Sequence, residues 1–90
     1  MNLTKEELKI LINLKNAPLG HENAYWIAGE TEKSYNSIYL KLRILETKGA
    51  IIPRKNRHGK VSYHIVTEIR ENLIDLLTDL KKREEKEEKE

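Results

Sequence analysis

The chain has no cysteine and no phenylalanine. Without cysteine there are no disulfides and no thiolate metal sites, and nothing points to an oxidising compartment. Long apolar runs are missing as well: no stretch approaches the roughly 20 apolar residues that cross a bilayer. The start, "MNLTKEE", is acidic and polar rather than a basic region leading into an apolar one. No targeting or membrane segment is expected, and these absences together predict a cytoplasmic protein. Glycine is scarce and scattered. Gly20, Gly29, Gly49 and Gly59 stand alone, so no glycine-rich phosphate loop is present, and no nucleophile elbow surrounds Ser34, Ser37 or Ser62. His21, His58 and His64 lack the i, i+4 spacing of helical metal ligands. The expectation is a protein that is not an enzyme and uses no metal or cofactor. Absence of Phe and Cys beside heavy use of Lys, Glu and Ile has a thermophile character.

The most informative deficit is of acid. From Tyr35 to Thr67 the only carboxylate is Glu46, in a chain of which 36% is charged. Between Lys33 and Lys60, the eight cations Lys33, Lys41, Arg43, Lys48, Arg54, Lys55, Arg57 and Lys60 face Glu46 alone, a local charge of +7. The rest of the chain carries −5, so the net +2 conceals a dipole. Phosphate backbones respond to local rather than net positive charge, through counterion release. The concentration of cations predicts a nucleic-acid surface, the more so because "RKNRHGK" offers nothing to pack.

What is present organises into six elements. Thr4 as N-cap, Glu7 completing a capping box and Leu3 stapling Leu8 start a helix over about 5–15, with Leu8, Leu11, Ile12 and Leu14 at helical spacing. Pro18 and Gly20 close it. "HENAYWIAGETE" predicts a short second helix with Ala24, Ile27 and Ala28 on one stripe and the polar "GETEK" as a break. Ile38, Leu42 and Leu45 then mark the inward face of a third helix over about 35–48, stopped by Gly49. The runs "AIIPR" and "KVSYHIV", separated by "KNRHG", predict a hairpin, with Pro53 confining the first strand to an edge. Beyond Thr67 the helical period returns. Ile69, Leu73, Leu76 and Leu80 form an a/d seam widened by Ile74 and Leu77, and "EEKEEKE" should fray. Trp26 and Tyr63 read as core residues, and Tyr35 projects near the core face. Tyr39, at its side, can reach a phosphate through its hydroxyl.

The resulting class is mostly α with a small β-hairpin, in the order α-α-α-β-β-α. Its expected organisation is a core over 1–66, a C-terminal dimerisation helix over 67–83 and a charged disordered tail over 84–90. Ninety residues bury a thin core. A homodimer through Ile69, Leu73, Leu76, Leu77 and Leu80 is therefore expected.

The stretch from "YWIAGE" through "SYNSIYLKLRILETKGAII" to "YHIVTEIRENLIDLL" resembles the winged helix-turn-helix of MarR-like and PadR-like transcription regulators, small archaeal and archaeal-virus versions included. "LRILETKGAII" is the most specific part. The resemblance covers about residues 5 to 80. It implies a third helix in the major groove of double-stranded DNA and a basic wing on the backbone or minor groove. Carried over by position, the outward residues are Ser34, Asn36, Ser37, Tyr39, Leu40 and Arg43, and the wing cations are Arg54, Lys55, Arg57 and Lys60. Arg can read guanine, Asn adenine, and an apolar side chain a thymine methyl. Leu40 and Ile44 depart from the family, which more often has polar or basic residues there. That departure keeps open a protein-docking winged helix, and a low-specificity architectural DNA binder is a variant of the DNA-binding reading.

Overall fold

A computed structural model of the chain describes residues 3–89, with side chains to residue 83. Met1, Asn2 and Glu90, the outer ends of the expected first and last segments, lie outside the described residues. The elements are α1 (Lys5–Asn16), α2 (Ala24–Thr31), α3 (Tyr35–Thr47), β1 (Ile51–Lys55), β2 (Val61–Ile65) and α4 (Thr67–Lys89). This α-α-α-β-β-α order with one antiparallel hairpin is mostly helical and winged-helix-like. Among the described residues no helix is long and apolar enough to cross a membrane.

The predicted capping box is complete: Thr4 N–H donates to Glu7 Oε1 at 2.8 Å and Glu7 N–H to Thr4 Oγ1 at 3.2 Å. At the other end Ala17 is extended because the following Pro18 disfavours helical backbone before it. Ile10, outside the predicted stripe of Leu8, Leu11, Ile12 and Leu14, is buried as well, and Ile12 is partly buried against the core. The reason is that α1 is central. It packs against α2, β2 and α4, so more than one of its faces is enclosed.

Asn23 caps α2 by accepting the Trp26 N–H at 2.9 Å. The helix runs through Gly29, Glu30 and Thr31, residues expected to form a break, and ends on Glu32 in the left-handed region with φ 55°. Ser34 then caps α3, which buries Ile38, Leu42 and Leu45 as its spacing predicts. Gly49, with φ 79°, turns the chain so that Ala50 N–H reaches Leu45 C=O at 3.0 Å. Ala50 is thereby buried and β1 starts against α3.

In the hairpin Pro53 lies opposite Tyr63. Tyr63 N–H points away from β1, donating to Glu22 C=O at 2.8 Å in the α1–α2 connection. The Pro53/Tyr63 pair is therefore a non-hydrogen-bonded one, and the missing N–H of Pro53 falls on the outer edge.

Two expectations about α4 change. Leu73 and Leu80 are buried in the core of the single chain, with Ile69, Leu76 and Leu77 partly buried against it. Leu73 and Leu80 are thus spent within the protomer and are not open to a partner. The apolar residue that α4 leaves well exposed is Ile74, at 66%. Residues 84–89, expected to fray, continue the helix to Lys89, in a stretch of Glu and Lys without Gly or Pro.

Candidate nucleic-acid interface

On α3, at about 100° per residue, Asn36, Leu40 and Arg43 stand opposite Ile38, Leu42 and Leu45. All three are exposed, Leu40 at 61%. Ile44, 44% exposed, borders them. Ser34 and Ser37 do not join this face. The Ser34 hydroxyl oxygen is occupied as the N-cap, accepting the Ser37 N–H at 3.2 Å. Ser37 itself turns toward α1, lining a cleft of about 570 Å³ with Glu6, Lys9, Asn13 and Lys41. One residue of helical rotation separates it from Asn36.

The expected eight-cation field is also divided. Lys48 Nζ bonds Glu7 Oε1 at 2.7 Å and Lys41 Nζ bonds Glu6 Oε2 at 3.2 Å. Both acids belong to α1, so two of the eight cations are neutralised by a helix far upstream. Lys41 holds the exposed Glu6 carboxyl below its ordinary range. At Glu7 burial pushes the pKa up, but the Lys48 and Thr4 hydrogen bonds outweigh it and the net direction is down. The wing keeps its charge outward: Arg54, Lys55, Arg57 and Lys60 are all exposed. Strand alternation divides the first two. Arg54, opposite Ser62, shares a face with Ile52 and His64; Lys55, opposite Val61, shares the face of Tyr63.

The wing tip is held by Asn56. Its Oδ1 accepts the N–H groups of His58 at 2.8 Å and Lys60 at 3.0 Å. Its backbone N–H bonds Lys60 C=O at 2.9 Å, and Gly59 supplies the positive φ of 81° that closes the loop. Arg57 and Lys60 thus project from an ordered turn.

Between the wing and the start of α2 and α3 lies a groove of about 830 Å³. Its walls include every aromatic residue of the protein, the four tyrosines and the single tryptophan. Tyr63 is buried as expected, and burial pushes its phenol pKa up. Trp26 is partly buried against the core. Tyr35, expected near the core face, is instead exposed, and its ring stacks on Tyr25 at 4.3 Å between centroids and on Tyr39 at 6.0 Å. Arg43 continues the row. Its Nη1–H donates to Tyr39 Oη at 3.2 Å and its Cζ lies 6.0 Å from the ring centroid, which raises the guanidinium pKa further. The i, i+4, i+8 spacing of Tyr35, Tyr39 and Arg43 signals this stripe in the sequence. Tyr25 carries no such signal, because it reaches the stripe only by packing of α2 on α3.

Among the described residues no three His, Cys, Asp or Glu side chains come together as a set of metal ligands. No family model matches the chain, and neither the curated proteins nor the solved structures contain a match to it.

Proposed function

We propose that the protein is a homodimeric, sequence-specific DNA-binding transcription regulator of winged helix-turn-helix type. In this reading α3 enters the major groove with Asn36, Leu40 and Arg43 toward base edges, and the wing lays Arg54, Lys55, Arg57 and Lys60 along the backbone or minor groove. The observation that supports it best is the segregation of charge. The α1 acids Glu6 and Glu7 take up Lys41 and Lys48 on the side of α3 facing α1. The wing cations and Arg43 are exposed elsewhere. Tyr39 then serves by steering Arg43 as well as by offering its own hydroxyl.

The homodimer needs a face that the monomer core does not consume. Ile74 and the adjoining, partly buried Leu77 are the α4 residues that suit it. A second reading, a winged helix that docks another protein, is favoured by the exposed pair Leu40 and Ile44 on α3. The two are separated by titrating the protein with duplex DNA from its own upstream region and with random duplex, each over a range of salt. Regulatory binding requires a steep salt dependence on both and a preference of roughly a thousandfold or more for one. Equal, steep binding to both would mean an architectural DNA binder. No binding to either would leave protein docking as the better reading.

A further inference from the structure

We propose that the aromatic groove beside the wing takes an unpaired base of a nucleic-acid strand, stacked on the open face of Tyr25, with the adjoining phosphate on Lys60. The inference rests on the basic face being a nucleic-acid surface, and it names a second form of nucleic acid that this surface accepts.

Tyr25 is 74% exposed although Tyr35 covers one face of its ring at 4.3 Å. The other face is therefore open to solvent. A large aromatic left so exposed at the head of a stack extends a platform on which a further planar ring continues the row, and base-on-aromatic stacking is tolerant of base identity. The stack is rigid where it matters: Tyr25 sits in the first turns of α2, and Tyr35 and Tyr39 are one helical turn apart on α3.

Charge complements the rings. Lys60 lines the same groove from the wing, its backbone N–H tied to Asn56 Oδ1 so that the side chain leaves a fixed turn. Glu22 is the acid on the groove wall. It is half-buried, and its Oε2 accepts the Gly20 N–H at 3.1 Å. A stacking platform and a cation lining one groove match a nucleotide, and base-tolerant stacking beside a phosphate-binding cation suits a strand. In a duplex the bases are paired and stacked on each other, so this groove engages a frayed end, a bubble or a single strand.

The test uses the full chain and fluorescence anisotropy with a short labelled oligo(dT), a blunt duplex and free thymidine monophosphate as competitor. Tyr25→Ala should weaken oligo(dT) binding about tenfold, the loss expected for one stacked base, and leave blunt duplex little changed. Tyr25→Phe, which keeps the ring, should restore oligo(dT) binding. Because Tyr25 is a surface residue, an unchanged thermal midpoint shows that the fold is intact. The inference is overturned if wild type binds duplex but not oligo(dT), or if Tyr25→Ala binds oligo(dT) as the wild type does. It is equally overturned if both DNAs weaken alike, or if free nucleotide competes as well as the strand. Failure of wild type to bind either DNA would instead remove the nucleic-acid reading on which it rests.

Discussion

Replacing Lys48 by Met removes one half of an ion pair whose other half cannot reach water. Glu7 is 2% exposed, and its Oε1 accepts from both Thr4 N–H at 2.8 Å and Lys48 Nζ at 2.7 Å. Among the described residues its Oε2 has no hydrogen-bond partner. Without the ammonium the buried carboxylate keeps its Thr4 hydrogen bonds but loses its counter-charge. Breaking a buried pair from one side costs about 3 to 5 kcal/mol. The Lys48 side chain is 30% exposed, so water already screens part of the attraction. A loss of about 2 to 3 kcal/mol is therefore expected at neutral pH. In a domain of this size that corresponds to about 10 to 20 °C in Tm.

The pH dependence isolates the charge. In the wild type the folded pKa of Glu7 lies below its ordinary value. The pair thus contributes its full stability above the unfolded pKa and loses it as pH falls through the folded one. In Lys48→Met burial dominates and the folded pKa rises, so stability is gained as the carboxyl protonates. The two unfolding curves should diverge at neutral pH and converge only as pH falls through the depressed wild-type pKa of Glu7. Adding Glu7→Gln to Lys48→Met should recover about 1 to 2 kcal/mol, because the amide buries no charge and its oxygen still accepts from Thr4. Urea unfolding at fixed protein concentration measures all three proteins. An equal stability deficit at neutral and acid pH, or no recovery in the double variant, would mean that the Lys48 stem matters for packing and the pair for nothing.

Arg57→Ala should weaken cognate and random duplex by similar factors and lower the salt slope by roughly one unit, checked by titration at several salt concentrations; a loss confined to cognate DNA would make Arg57 a base reader. Asn36→Ala should cost about 1 to 3 kcal/mol on the cognate site and much less on random sequence, since it stands on the exposed face of α3, and paired affinities at one salt decide it. Ile74→Glu should convert the proposed dimer to monomers in sedimentation without loss of fold. Leu73→Ala should instead unfold more easily by about 2 to 5 kcal/mol, because that side chain is buried within the protomer. Glu32→Gly should stabilise by up to about 1 kcal/mol in urea unfolding, because φ 55° strains a residue with a Cβ and suits glycine.

Local patterning in the sequence already determined the six elements, the Thr4/Glu7 capping box, the inward Ile38, Leu42 and Leu45 and the outward wing cations. Each of these depends on residues within a turn or two of one another, where periodicity, caps and turn chemistry act directly. The tertiary structure alone decided what happens where distant segments meet. It spends Lys48 on Glu7, 41 positions away. It places α1 in the middle of the fold, so that Ile10 is buried and Leu73 and Leu80 are covered without a second protomer. It also packs α2 on α3 so that Tyr25 heads a row of rings ending at Arg43. An amphipathic stripe states that a face is to be buried, and a cation states that it needs a counter-charge. Which element supplies the cover or the charge follows from the packing of all six together.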